Sequence, residues 1–307
     1  MTNLMRSNFC LDPYYVTGLS DAESCFFVSF LKDSEFRTGW NVRAGFSIGM
    51  HKRDKALLEQ IKSHFAVGEI FKQGKDAYQY RVTSLRDLIN VIIPHFLEYP
   101  LISQKRADFE LFRQIVSLMK HKKHVTPDGL LQIINIKASM NRGLSDTLKE
   151  PYPNINPVPR AKVQFLGIPN PHWFVGFSDG ESCFIIRNLK SITHKLGICI
   201  QLRFKIVQHS RDAELIKGFV EYLGCGHYSR SSSLNRVEFS LSKTSDIHKI
   251  ILFFDKYELQ GAKSADYADF KRAAELMKEK AHLTEQGIKE LLLIKAGMNT
   301  GRDPDCA

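Results

Sequence analysis

One short stretch occurs twice. Residues 16–24 read V-T-G-L-S-D-A-E-S, and residues 174–182 read F-V-G-F-S-D-G-E-S. The offset from Glu23 to Glu181 is 158 residues, and the same offset runs through the rest of the chain. It carries His51-Lys52-Arg53-Asp54 onto His209-Ser210-Arg211-Asp212, Gly68 onto Gly226, Lys105 onto Lys263, and His124 onto His282. It carries I-K-A-S-M-N at 136–141 onto I-K-A-G-M-N at 294–299. The register slips by one only locally, where Asp87 matches Asp246. Such self-similarity predicts two copies of one fold. Six of the eleven prolines fall between Gly143 and His172, a composition that reads as an extended linker. The expected division is a first half over 1–142, a linker over 143–172 and a second half over 173–307. A length of 307 residues suits two such domains.

Each copy of the stretch carries a glycine followed four residues later by a small residue: Gly18 and Ala22, then Gly176 and Gly180. Positions i and i+4 share a helix face, and a face without large side chains lets two helices approach closely. Packing the two helices on one another would bring Glu23 and Glu181 together at their C-terminal ends. An anion there meets the negative end of the helix dipole, and two carboxylates repel. A hard divalent cation, which prefers oxygen ligands, would relieve both. The plain alternative is a pair of core helices that each end in a solvated acid.

These stretches resemble the motif that names the LAGLIDADG homing endonucleases. Glu23 and Glu181 fall where that family keeps its metal-binding acid. Ser24 and Ser182 replace the motif's final glycine, and Ser20 and Ser178 replace an aliphatic residue. Two motifs in one chain resemble the single-chain, pseudo-symmetric branch typical of organellar introns. The resemblance implies an α+β fold of two α-β-β-α-β-β-α halves with antiparallel sheet saddles. It implies Mg2+ or another divalent ion held by Glu23 and Glu181, with the backbone carbonyls of Ala22 and Gly180 as further ligands. It implies a staggered double-strand break with short 3′ overhangs, a monomeric enzyme and a mitochondrial setting.

The periodicity agrees with that fold. Each motif helix runs into an apolar strand, at 25–32 and 183–189, followed by a strictly alternating one at 41–50 and 197–208. Helices follow over 54–65 and 212–222, with Asp54 and Asp212 placed as N-caps. Hairpins come next, at 68–83 and 226–242. Further helices cover 85–97, 103–121 and 127–141, with counterparts in the second half. Strict alternation means one packed face and one wet face.

The wet face of the first half holds Ser29, Asn41, Arg43, Ser47, Glu69, Gln73, Gln79, Arg81 and Thr83. That of the second holds Arg187, Gln201, Arg203, Lys205, His227, Ser229, Arg236, Glu238, Ser240 and Ser242. Arg, Gln, Asn and Ser suit hydrogen bonding to base edges in a major groove, and Lys and Arg suit phosphates. An ordinary solvated sheet face has much the same composition. The resembled family reads DNA with such saddles, so these residues are the expected contacts to a long, asymmetric double-stranded site. Two saddles, each following about one turn of ~10.5 base pairs, would cover roughly 20 base pairs. Phe27, Leu31 and Phe71 are expected to be exposed beside them.

Lys105 and Lys263 open equivalent helices, where a cation gains nothing from the dipole, so a nearby anion is expected to hold each. The family places a lysine here near the active-site phosphate and water. Gln208 stands where the family often uses a polar residue near the attacking water. Its counterpart is Met50, which hints at unequal strand-cutting rates. His51, His209, His124 and His282 are read as structural, and no general base is assigned among them.

A formal net charge of +10 suits a polyanionic partner or simple solubility. The six cysteines form no C-x-x-C pair, so neither zinc nor a redox dithiol is indicated, and Cys25 and Cys183 read as small packing residues in a reducing compartment. No apolar run reaches membrane-spanning length, so no membrane partner is expected. The N-terminus lacks the apolar core of a secretory signal and is too short and weakly basic to argue for a transit peptide. Two other readings share the motif or the charge: an RNA-binding intron maturase, and a DNA-binding protein without catalysis. Retention of both acids argues against the last.

Overall fold

Helix α1 (Pro13–Glu23) begins at Asp12, whose Oδ1 accepts from the Tyr14 N–H at 2.8 Å, with a proline at the first helical position. Proline fits there because that N–H has no intrahelical partner. The structure, a computed structural model, describes residues 11–302. The helix ends directly in strand β1 (Ser24–Lys32), and Ser24 Oγ donates back to the Ser20 carbonyl at 2.6 Å. Strand β2 (Trp40–His51) leads through a 3-10 turn, Lys52–Asp54, into α2 (Lys55–Phe65). Then come β3 (Glu69–Gln73), β4 (Ala77–Val82), and one continuous helical stretch. That stretch is α3 (Leu85–Asp87), a π turn at Leu88–Ile92, and α4 (Ile93–Glu98). Helices α5 (Lys105–Lys120) and α6 (Pro127–Ala138) complete the first half, and the short α7 (Asp146–Lys149) lies in the proline-rich segment after it.

The second half repeats the order. It consists of α8 (Pro171–Glu181), β5 (Ser182–Lys190), β6 (Ile198–His209), α9 (Ala213–Leu223), β7 (His227–Arg230), β8 (Arg236–Leu241), α10 (Thr244–Lys256), α11 (Lys263–Lys278) and α12 (Glu285–Ala296). Each half holds one four-stranded antiparallel sheet, ordered β1-β2-β4-β3 and β5-β6-β8-β7. The fold is α+β, with helices on one face of each sheet.

The buried side of each sheet is aromatic. In the first half Phe26 meets Phe46, Phe96, Phe109 and Phe112 at ring-centroid distances of 5.1 to 5.3 Å. In the second, Phe184 meets Phe204, Phe254, Tyr267 and Phe270 at 5.1 to 5.7 Å. Ring pairs at such spacing add about 0.5–1.5 kcal/mol each beyond burial. Both clusters use the same repeat positions.

The chain divides into two compact units, Met1–Gln164 and Phe165–Ala307. The boundary lies inside the proline-rich segment. That segment is partly extended and partly packed: Leu144 and Leu148 are buried around α7, and Arg160 pairs with Asp108.

Two local details differ from the sequence reading. Asp54 and Asp212 occupy the N-cap positions of α2 and α9 but make no side-chain cap bond. The capping falls to His51 and His209, whose Nδ1 accepts from the Arg53 and Arg211 N–H at 3.4 and 3.1 Å. A preceding 3-10 turn moves the first unpaired N–H groups back by three residues, out of the aspartates' reach. The second detail concerns Cys25, which is exposed rather than packed, because its parity in β1 points it to the outer face of the sheet.

Candidate nuclease site and sheet surface

Glu23 and Glu181 are the last residues of α1 and α8, and both are partly exposed. Beside each, a lysine crosses from the start of another helix. Lys105 Nζ donates to the carbonyls of Ser20 and Ala22 at 2.8 and 3.1 Å. Lys263 Nζ donates to those of Ser178 and Gly180 at 3.1 and 3.0 Å. The Ala22 and Gly180 carbonyls lie in the last turn, which a helix leaves without intrahelical partners, while those of Ser20 and Ser178 also accept the C-cap N–H of Ser24 and Ser182. An ammonium there meets the negative end of the dipole, worth about 0.3–1 kcal/mol and up to ~2 when partly buried. Each lysine thus bonds peptide carbonyls at the C-terminus of the motif helix, in the same turn as the glutamate.

The reciprocal tie runs through an aspartate that the sequence reading passed over. Asp21 is buried, and its carboxylate accepts from Ile102 N at 3.0 Å, Ser103 N at 3.3 Å and Ser103 Oγ at 2.5 Å. Ser103 Oγ in turn accepts from Lys105 N at 3.2 Å. Asp179 does the same in the second half, accepting from Gln260 N at 2.8 Å and Gly261 N at 3.3 Å. The motif helix therefore fixes the turn that presents the lysine, and the lysine caps the motif helix. The signal was present in sequence: Asp21 and Asp179 lie inside the repeated stretch, two residues before each glutamate.

A second pair was also passed over. Buried Asp108 and Asp266 accept from the backbone N–H of Asn141 at 2.7 Å and Asn299 at 2.8 Å. Those asparagines, both with positive φ, donate from Nδ2 to the Phe26 and Phe184 carbonyls at 2.8 and 3.0 Å. Asp108 is paired with Arg160, and Asp266 with Arg302.

Gln208 lies two positions past Ile206, the residue opposite Ser182, so register puts it at the Glu181 end of the second sheet. Its parity is that of the buried residues of β6, and its Oε1 accepts from His209 N at 3.3 Å. Burial pushes the Cys183 thiol up, with Lys205 and Lys263 pulling it the other way.

The oxygen set at each helix end suits a hard divalent cation: one carboxylate, and a backbone carbonyl whose second lone pair remains after the lysine bond. Among the described residues no group of three or more His, Cys, Asp or Glu gathers to hold a metal.

The outer face of the first sheet carries the residues that alternation assigned to it. Arg43 pairs in register with Ser29, and Asn41 with Leu31. Arg81 stands between Ser47 and Glu69, while Gln79 is opposite Phe71 and Gln73 opposite Ala77. Thr83 follows β4 and is exposed. Ser47 shares the face by register but is only 3% exposed. Leu31 and Phe71 stand out at 48% and 49%, whereas Phe27 is half-buried. On the second sheet, Lys205, Ser240 and His227 form one row, and Glu238 and Ser229 another. Arg187 pairs with Gln201, and Arg203 with Ile185; Arg236 is opposite His209, and Ser242 follows β8.

No helix among the described residues is long and apolar enough to cross a membrane. A family profile described as LAGLIDADG endonuclease matches residues 16–116 and again 174–274. "Probable intron-encoded endonuclease 2" of Neurospora crassa is 41% identical over 93% of this chain, and "Probable intron-encoded endonuclease 3" of the same fungus is 36% identical over 94%. The chain spans 64% and 55% of the lengths of those two relatives. Shorter matches are named for ND4 intron 1 of Podospora anserina and cox1 intron 2 of Schizosaccharomyces pombe. Among solved structures, I-SmaMI bound to uncleaved DNA target with calcium ions is 40% identical, with a TM-score of 0.92 over 94% of this chain and 99% of that one. I-SmaMI bound to cleaved DNA is 40% identical at 0.93, over 95% and 98%. The chain belongs to the LAGLIDADG endonuclease family.

Proposed function

We propose that this chain is a divalent-metal-dependent, site-specific DNA endonuclease of the homing type. It cuts both strands of a long, asymmetric duplex site and leaves short 3′ overhangs. The observation that carries the reading is the duplicated helix end: Glu23 with Lys105, and Glu181 with Lys263, each on the same carbonyl frame. The description of I-SmaMI with calcium and with cleaved DNA supports it.

Hydrolysis of a phosphodiester needs a positioned nucleophile, a neutralised phosphate and a stabilised leaving oxygen. Glu23 and Glu181, with the carbonyls of Ala22 and Gly180, would hold the cation, and Mg2+ is the assigned ion. Bound there, the ion supplies charge neutralisation and water activation. The rest falls to the protein. Lys105 and Lys263 place a fixed positive charge beside the acids, suited to a scissile phosphate. Gln208 offers a polar group at the Glu181 end that Met50 does not match, so the two strands are cut at unequal rates. The outer sheet residues, from Ser29 to Thr83 and from Arg187 to Ser242, bind the duplex. Two halves, over 1–142 and 173–307 with the linker 143–172, act within one monomer. Relatives encoded in ND4 and cox1 introns support a mitochondrial setting.

The test is cleavage of a plasmid library carrying randomised sites, with magnesium, and sequencing of the cut ends. Glu23→Gln or Glu181→Gln should abolish double-strand cutting while binding stays within a few-fold of wild type. Full cutting by both single variants would remove these acids from the mechanism. An RNA-splicing assay run beside it separates the nuclease from a maturase.

A further inference from the structure

On the outer face of the first sheet three side chains form a stack. The Arg81 guanidinium lies 5.9 Å from the ring centroid of Phe27 and 5.5 Å from that of Phe71. It is also held in its own plane. Gln79 Oε1 accepts from Arg81 Nε at 3.0 Å and, in a short bond, from Nη2. The space for this comes from a glycine. A Cβ on Gly45, directly across from Phe27, would stand 2.3 Å from Phe27 Cζ.

The second half has nothing equivalent. The matching positions are Ile185, Ser229 and Ser240, and the residue in place of Gln79 is Glu238. Glu238 forms an ion pair with Arg203. That difference sets the charge. A carboxylate neutralises the arginine it holds, whereas the Gln79 amide holds Arg81 and leaves its full charge.

From this geometry we infer that Arg81 is a pre-aligned guanine reader that fixes one base pair of the target; the inference rests on the DNA-binding reading above. The Nε–Nη2 edge of the guanidinium is occupied by Gln79. The Nη1–Nη2 edge keeps two parallel N–H donors, the arrangement that matches guanine O6 and N7 in the major groove. Stacking on Phe27 and Phe71 removes rotamer freedom before DNA arrives, so less entropy is lost on binding. Phe27 and Gly45 act as positioning residues.

The full-length chain is offered a pool of randomised duplexes, and base preferences are read position by position. Wild type should show one strong guanine that Arg81→Ala weakens roughly tenfold to a hundredfold, with other positions unchanged. Arg81→Lys should keep most of the overall affinity but lose the same guanine. Gly45→Ala, which displaces the Phe27 ring, and Phe27→Ala, which removes it without a clash, should both broaden preference at that same position. An even loss across many positions with Arg81→Ala would overturn the inference, as would a guanine preference that survives Gly45→Ala and Phe27→Ala. If wild type selects no duplex at all, the DNA-binding reading falls and this inference with it; selection without a position that responds to Arg81 sinks only this inference.

Discussion

At Asp21 a buried carboxylate satisfies two backbone N–H groups and one hydroxyl of the turn that carries Lys105. Buried donors left without partners cost about 1–3 kcal/mol each. Asp21→Ala should therefore destabilise the first half by roughly 2–4 kcal/mol in chemical denaturation. Asp21→Asn, which keeps one acceptor oxygen, should recover part of that loss. A second residue-scale effect belongs to His95, which is half-buried with its Nε2 3.1 Å from Thr17 Oγ1. Burial, and then the neighbouring His64, push its imidazole down to about 3. In the unfolded chain it titrates near ~6.5. The unfolded state thus takes up the proton first. The stability linked to neutral His95 is complete above about pH 6.5 and is lost as pH falls towards 3. Between pH 6.5 and 5 the loss should reach about 2 kcal/mol. His95→Phe, which copies Phe253 at the matching position of the second half, should flatten that slope; equal slopes for both proteins would refute the assignment. Sequence placed the repeated acids, lysines and asparagines by number. It could not show that Asp21 serves a turn some eighty residues away, because that partner is distant in the chain.

Between elements, the repeat's one irregularity has a structural cause. The hairpin turn between β7 and β8 is one residue longer than that between β3 and β4, as the equivalent pairs Lys72↔Tyr78 and Arg230↔Val237 show. The helical stretch 85–98 is then one residue longer than α10, which has 13 residues. The π turn at Leu88–Ile92 absorbs that extra residue. The offset slips at the hairpin and is restored at the helix, which is why Asp87 matches Asp246 while Lys105 matches Lys263. Periodicity alone predicts one helix in each half and cannot show an i→i+5 turn within it. A second element-scale constraint sits at Gly129 and Gly287. Thr126 and Thr284 cap α6 and α12 by accepting from the N–H of these glycines. A Cβ on either would stand 2.1 Å from the carbonyl of Lys123 or Ala281. Backbone cannot yield as a side-chain tip can. Gly129→Ala should lower stability by about 1–3 kcal/mol despite the better helix propensity of alanine. Gly45→Ala, which meets only a ring edge, should cost less, and a comparison of their denaturation midpoints checks the ranking.

For the whole chain, a net charge of +10 and a pI near 9.2 describe a protein suited to a polyanion. If the duplex is held through ~6–10 phosphate contacts, affinity should fall by about 10³–10⁵ between 50 and 200 mM salt. The guanine preference assigned to Arg81 should change far less, since a base contact releases no counterion. A shallow salt dependence measured on a selected site would argue against a phosphate-led interface. The amino-acid sequence by itself determined the duplication, the α+β order of each half, the paired glutamates and the parity of the sheet faces. All of these follow from local period and repetition, and the family profile repeats at the same offset. Tertiary structure decided which neighbours each residue meets. It turned Lys105 from the start of one helix onto the carbonyls at the end of another, gave Asp21 a distant turn to hold, buried Ser47 on an otherwise wet face, and set Arg81 between two rings over a glycine. Those relations join segments far apart in the chain, and only packing brings such segments within hydrogen-bond range.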